Sequence, residues 1–367
     1  MPHALVRDIR TLWSMKGATG RGPKRIEWSP TNPLPLAGQT EAAEAMSPPP
    51  PASQLACDVC SATTGTRLFE ATDHREGLEG RFTLVACGGC GLVRTEPRPD
   101  DLAAWYPPSY RNHAARPSVT VRAIGSALRY NARPSRNERL AKVVGWLVPN
   151  AALGPRVEAG ARVLDVGAGN GAAVSALRSR GLDAWGVEPS QMAVEAARAN
   201  GVETVVVGTL EASELSGQTW DMIRFTHVLE HVPSPVETLR AALAALAPGG
   251  RVVVLVPNFG GAGRRLFGRA WDGLELPRHL HHFTRATLTR TFAQAGLRTA
   301  SIGTAALFGV TAASLDAWSC GGVRQRGWGS SLAARAVLYP VDLALASVGL
   351  GEGLLGVAMA ESDGSRG

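Results

Sequence analysis

The sequence predicts an α/β protein, a doubly wound parallel sheet preceded by a small cysteine-stapled hairpin. Three observations predict it. From Ala161 onward, short apolar runs rich in β-branched residues alternate with helical stretches. The first run enters a glycine-rich turn, Gly167-Ala168-Gly169-Asn170-Gly171, and the second ends on an acidic residue, Glu188. Ahead of both, four of the five cysteines fall in two tight pairs, Cys57 with Cys60 and Cys87 with Cys90. A chain of 367 residues with 45% apolar content has room for one full domain and a small module. The formal charge of +7 allows an anionic partner such as nucleic acid, a phosphorylated substrate or a membrane surface.

Residues 1–54 are rich in Pro, Gly and Ala, close on Ser47-Pro48-Pro49-Pro50-Pro51, and hold no sustained period of 2 or 3.6. Such a segment buries too little apolar surface to offset its ordering entropy, so a disordered extension is expected. Its start lacks a continuous apolar run with a small-residue cleavage site, so no secretory signal is read and a reducing cytoplasm is the expected compartment.

Residues 55–100 carry CxxC-x26-CxxC, with two β-rich runs, Thr66 to Ala71 and Arg81 to Ala86, between the pairs. That is a hairpin stapled at its base. Four thiolates at this spacing, with glycines inside the second pair, suit closed tetrahedral coordination, so Cys57, Cys60, Cys87 and Cys90 are expected to hold a structural Zn2+. Residues 101–155 form a connector that opens with Trp105-Tyr106-Pro107-Pro108-Ser109-Tyr110 and continues in a helical stretch from Ser118 to Leu147.

Residues 156–362 make up the main domain. Strands are expected at Ala161 to Val166, Ala184 to Glu188, Glu203 to Val207, Trp220 to Thr226 and Arg251 to Pro257. Helices are expected over Ala172 to Arg180, Ser190 to Asn200 and Pro235 to Leu246. Alternating βα units imply a parallel sheet covered on both faces, with ligands at the carboxyl ends of its strands. After Asn258 the alternation breaks into a Gly/Arg/His-rich insertion, then a helix with Thr284 as N-cap and a strand near Leu297 to Gly303. The apolar stretch Ala336 to Leu350, interrupted by Pro340 and Asp342, is shorter than the ~20 residues a membrane span needs. Core packing, or else a membrane-surface or dimer contact, is expected of it, and Leu354 to Ala360 is the last strand.

The chemistry gathers at the strand ends. Glycine lets the backbone turn sharply and approach a ligand with no Cβ in the way. A carboxylate at Glu188, ending the second strand, is placed to accept two ribose hydroxyls. The dinucleotide fingerprint is GxGxxG, whereas this turn reads GxGxG with Asp165 before it. An anionic Asp165 repels a pyrophosphate and favours a cationic sulfonium or amino group.

On these residues the sequence resembles the class I S-adenosylmethionine-dependent methyltransferases, whose sheet is Rossmann-like; the likeness covers roughly Ala161 to Gly303. The resemblance implies that Asp165, Gly167, Ala168, Gly169 and Gly171 cradle the methionyl part of S-adenosylmethionine and that Glu188 holds the ribose. After the third strand the family often places a polar residue for the adenine amino group. This chain has Gly208-Thr209-Leu210, so contact through the backbone at Leu210 is expected. His227-Val228-Leu229-Glu230-His231-Val232 is similar to the LEHV run of small-molecule and sugar methyltransferases, and implies that His227 faces the methyl group. A carboxylate beside an imidazole also leaves a divalent metal open there. The Asn/Asp-Pro-Pro-Tyr/Phe run that accepts hydrogen bonds from base amines is missing.

The insertion adds Trp271-Asp272-Gly273-Leu274-Glu275-Leu276-Pro277-Arg278-His279-Leu280-His281-His282-Phe283. Methyl transfer to a hydroxyl needs positioning and a base titrating near neutrality, which histidine supplies. The candidates, in order, are His279, His282 and His227. Arg278 is placed either to pair with Glu275 or to hold a substrate phosphate.

The cysteine module narrows the resemblance to deoxysugar C-methyltransferases and to ribosomal RNA base methyltransferases with an N-terminal zinc finger. The expected activity is methyl transfer to a hydroxyl, or a carbon, of a sugar, glycan or related small molecule. The alternatives are an RNA base methyltransferase docking through its zinc module, for which Arg67, Arg75, Arg81, Arg94 and Arg98 offer a basic face, and a non-catalytic cofactor-binding protein.

Overall fold

The computed structural model describes residues 56–106, 157–320 and 331–361. The expected N-terminal disorder and the connector helix lie outside the described residues. All described residues belong to the second of the chain's two units, Pro51–Gly367.

In chain order the elements are β1 (Gly65–Ala71), β2 (Phe82–Cys87), β3 (Val93–Glu96), β4 (Arg162–Val166), α1 (Ala172–Arg178), β5 (Asp183–Glu188), α2 (Gln191–Ala199), β6 (Val205–Val207), β7 (Trp220–Thr226), α3 (Pro235–Ala244) and β8 (Leu246–Pro257). They continue with α4 (Ala262–Phe267), β9 (His281–His282), α5 (Arg285–Gln294), β10 (Leu297–Ala305), α6 (Val310–Ser319), α7 (Leu332–Ser347) and β11 (Gly353–Ala360). The seven-stranded sheet runs β10-β11-β8-β7-β4-β5-β6. The five strands from β8 to β6 are parallel, and β11 inserts antiparallel between β8 and β10.

Side chains alternate across a strand, so a sheet covered on both faces divides each strand between two cores. Leu164, Ile223, Phe225, Val252, Val254 and Val256 enter one core. Val163, Met222 and Val253, their neighbours in sequence, enter the other. This places every loop that follows a parallel strand at one edge of the sheet. Local signals close the helices over it: Ser190 accepts the Ala193 N–H at 3.3 Å to start α2. Thr284 and Thr287 exchange hydrogen bonds in a capping box that starts α5.

A second sheet has the order β1-β2-β3-β9. Its fourth strand is not part of the cysteine hairpin: it is His281–His282 from the insertion, pairing Val93 with His282 and Arg94 with His281. Cys57, Val59, Cys87 and Leu92 belong to the same core as Leu164 of the main sheet and Phe283, which follows the insertion's His281–His282. Every residue from Ala270 to Phe283 is buried, so the insertion is the filling between the two sheets rather than an exposed loop. Among the described residues no helix is long and apolar enough to cross a membrane.

Candidate active site

The glycine turn follows β4. Gly167 and Gly169 have φ of 70° and 52°, the left-handed region. A Cβ on Gly167 would lie 2.5 Å from the Val228 side chain, whereas a Cβ on Gly169 would meet nothing within 4 Å. Gly169 therefore leaves a backbone cradle open to a ligand. Glu188, ending the adjacent strand β5, accepts the Gly169 N–H through Oε2 and the Ser190 N–H through Oε1, both at 2.9 Å. One carboxylate thus ties the turn to the start of α2.

Asp165 and Arg224 are register partners on β4 and β7. Both are buried, and Arg224 Nη1 donates to Asp165 Oδ1 at 2.9 Å. Burial pushes the Asp165 carboxyl up from its usual range, and the Arg224 charge opposes that shift. Leu210 turns its side chain into the main core and does not line the cavity described next.

A cavity of about 540 Å³ begins at Asp165, Gly167 and Gly169 and passes His227 to reach His231, Glu275 and His279. Phe308 and Arg335 also line it. His227 directly follows β7, with φ of 56° and a side chain 41% exposed. Its Nδ1 lies 3.2 Å from Glu230 Oε1. With that nitrogen donating to a carboxylate, the lone pair falls on Nε2. His279 is buried, and its Nδ1 donates to the Gly273 carbonyl at 2.9 Å. Burial first, then the neighbouring His231 and His282, hold its imidazole well below the usual pKa.

His282 does not line the cavity. Its Nε2 lies 2.9 Å from Thr95 Oγ1, whose single proton goes to the His279 carbonyl at 2.6 Å. Nε2–H of His282 is therefore the donor, and burial lowers its pKa to about 3. Arg278, fully buried, donates to Asp73 at 2.8 and 3.0 Å, to the Trp105 carbonyl at 3.0 Å and to Glu275 at 3.3 Å. Its guanidinium is spent on protein partners, including the Glu275 pairing that the sequence offered.

Residues 138–302 match a family model described as a methyltransferase domain. A ubiquinone biosynthesis O-methyltransferase of Aromatoleum aromaticum is 31% identical over 169 residues, covering 43% of this chain and 70% of that protein. The chain belongs to the class I S-adenosylmethionine-dependent methyltransferases. A relative of the same name from Xanthomonas oryzae pv. oryzae is 34% identical over 134 residues, 34% of this methyltransferase and 56% of that protein. Beyond the first relative, the chain thus spans little more than half of the matched protein's length. Among solved structures, the methyltransferase in a complex with the Trm112 methyltransferase activator of Haloferax volcanii is 18% identical, covers 72% of this chain and 99% of that one, and has a TM-score of 0.45.

Several site residues of this methyltransferase were hidden from sequence reasoning. Arg75, from the β1–β2 loop, lines the cavity and forms a close ion pair with Glu275. His231, which the sequence offered only as the imidazole beside Glu230, lines it too, with Tyr106 Oη 2.9 Å and the Arg278 carbonyl 3.1 Å from Nδ1. A charged residue inside the apolar strand Trp220–Thr226 was the available signal for Arg224, since a buried cation needs a partner. The cysteines come together as the spacing implied: Cys57 and Cys90 Sγ are 3.6 Å apart, Cys60 and Cys87 Sγ 3.5 Å, and all four lie within 4.8 Å of one another. Of the five arginines offered as a basic face, Arg81 is exposed and the other four are in ion pairs. Arg94 is buried against Glu96, Arg98 pairs with Asp58, Arg75 with Glu275 and Arg67 with Glu70.

Proposed function

We propose that the enzyme methylates a hydroxyl oxygen of a small molecule, with His227 as the general base. The observation that carries this is the His227–Glu230 pair at the end of β7. It presents an exposed imidazole, oriented by a buried carboxylate, to a cavity that also contains the glycine cradle. S-adenosylmethionine, when bound, supplies an electrophilic methyl group on a sulfonium.

The residues divide the work. The open backbone at Gly169 and the neighbouring Gly167 and Ala168 receive the methionyl part, and Glu188, whose two oxygens already hold the Gly169 and Ser190 N–H groups, is the residue assigned to the ribose hydroxyls. Asp165 offers a carboxylate whose charge Arg224 already balances, so its part is fixed geometry rather than bulk attraction for a cation. The backbone at Leu210 is the remaining adenine contact. His227 Nε2 takes the acceptor proton while Glu230 stabilises the imidazolium that forms. Of the other two histidines, His279 lies deeper in the cavity wall and His282 faces away from it. The relatives' name as O-methyltransferases supports oxygen as the acceptor atom.

The four thiols fit a structural Zn2+, because Zn–S bonds of about 2.3 Å in a tetrahedron set sulfur atoms about 3.8 Å apart. Thiols kept reduced suit a cytoplasmic enzyme. The deciding experiment is a transfer screen with methyl-labelled S-adenosylmethionine over catechols and other phenols, nucleotide sugars, envelope glycans and ribosomal RNA, with zinc content measured on the same preparation. Label on a phenolic or sugar oxygen is the expected result. Label on an RNA base, or on none of these acceptors, overturns the reading.

A further inference from the structure

Glu230, His231 and His279 meet between the LEHV turn and the insertion, 48 residues apart in sequence. One donor atom from each lies within 4.8 Å of the other two. The sequence alone offered only the carboxylate and its adjacent imidazole; the fold supplies the third donor. The insertion is pinned there because the Glu230 carbonyl accepts the N–H groups of Leu280 and His281 at 2.8 and 3.2 Å.

The protonation pattern is that of ligands. His279 donates Nδ1–H to the Gly273 carbonyl, and His231 directs Nδ1 at the Arg278 carbonyl. A carbonyl only accepts, so the His279 ring carries hydrogen on Nδ1 and a lone pair on Nε2; His231 Nδ1 is held between the Arg278 carbonyl and the Tyr106 hydroxyl, at 3.1 and 2.9 Å, and Nε2 is its remaining nitrogen. This backbone anchoring of the second nitrogen is what orients metal-bound imidazoles.

The lone pair of His279 points at negative charge. Its Nε2 is 3.9 Å from Glu230 Oε1 and 3.6 Å from Glu275 Oε2. Two acceptors facing each other repel unless a cation lies between them. Glu275 is already neutralised by Arg75 and Arg278. Glu230 is not: it is 1% exposed, His227 is the one hydrogen-bonding group near its Oε1, and its Oε2 has no hydrogen-bond partner among the described residues. A buried carboxylate oxygen left bare is costly and calls for a bound group.

We propose that Glu230, His231 and His279 form a second metal site, one that takes a divalent transition-metal cation on two imidazoles and a carboxylate. Such a donor set suits Zn2+, Co2+, Mn2+ or Fe2+, and differs in kind from the closed thiol cluster. His231 and His279 both line the cavity, so the cation's remaining positions open on the space where an acceptor binds. Three protein ligands with an open position mark a catalytic rather than a structural site. The site stands independently of which acceptor is methylated.

Co2+ is the probe. Full-length protein with zinc in the thiol cluster is titrated with Co2+ and followed by visible absorption, with no acceptor or turnover involved. About one further equivalent should bind, giving weak d–d bands without the intense thiolate-to-cobalt transitions of the cysteine site. His279→Ala and Glu230→Gln should weaken binding roughly 100-fold or more, given that even removing a ligand's outer partner costs about 10–100-fold. His282→Ala, whose imidazole faces Thr95, should retain it. Calorimetry with S-adenosylhomocysteine reports whether each variant is folded. A zinc-loaded wild type that shows no saturable Co2+ band overturns the proposal whatever the variants do, as does equal binding by folded His279→Ala.

Discussion

Arg278 and Asp73 form a two-pronged ion pair with neither side chain exposed, joining the insertion to the β1–β2 loop across 205 residues of sequence. Asp73 Oδ1 also accepts the N–H groups of Arg75 and Glu76 at 3.1 Å, which shapes the loop that carries Arg75 to the cavity. Removing one partner leaves the other as an uncompensated buried charge. Arg278→Ala is expected to cost about 3–5 kcal/mol of stability, read from the denaturant midpoint. Arg278→Lys should recover little, since an ammonium cannot span both carboxylate oxygens. A loss below about 1 kcal/mol would show that the pair is not what holds the insertion.

Gly169 makes the sharpest test of the cofactor cradle. Its φ of 52° disfavours any side chain, and a large one would fill the open space beyond its Cα. Gly169→Arg is expected to abolish S-adenosylmethionine binding by calorimetry while the zinc content stays at the wild-type value. Unchanged affinity would mean that the cofactor is seated elsewhere.

How far the sequence reaches is visible in these same residues. The parallel strands and the glycine turn are legible because their signals are local: apolar runs of strand length, and glycines where φ must be positive. The cysteine pairs are legible because metal geometry dictates short spacing. What stays hidden depends on register and on distant pairing. Arg224 reads as an oddity until β7 is set beside β4 and Asp165 becomes its neighbour. The two-residue strand β9 carries no periodicity of its own, and is a strand only because β3 is there to pair with it. For the same reason the three histidines of the insertion look equivalent in sequence. In the fold His279 reaches the cavity, His281 hydrogen-bonds Asp58 at 3.0 Å and His282 faces Thr95.

Asp342 gives the fold a pH dependence. It is buried in α7, accepts a hydrogen bond from Thr311, and has its pKa raised to about 6, by burial first. A carboxyl raised above its unfolded value favours the protonated fold, so its penalty is absent below the ordinary value of 3.8, develops as pH rises from there to about 6 and is complete above it. Asp342→Asn keeps an acceptor for Thr311 without the charge. The variant's melting temperature minus that of the wild type should therefore grow between pH 5 and pH 8. A difference that stays flat or shrinks over that interval would assign the titration to another group.

His227 is the residue on which the proposed chemistry turns. Its side chain is exposed, lines the cavity and is held through Nδ1 by Glu230, so Nε2 is the nitrogen turned from that contact. Loss of a positioned base costs about 10²–10⁴ in rate, so His227→Ala should lower kcat by that order once an acceptor is in hand. S-adenosylmethionine affinity should change little, because the cradle is backbone at Gly167 and Gly169. The truncation leaves a space beside Glu230, and added imidazole should restore part of the rate by occupying it. Rescue distinguishes a lost base from a lost structural contact, which no soluble imidazole replaces. His282→Ala should act on stability, since its ring bridges to Thr95 away from the cavity. Wild-type single-turnover rates in His227→Ala would remove it as the base and pass that role to a group deeper in the cavity wall.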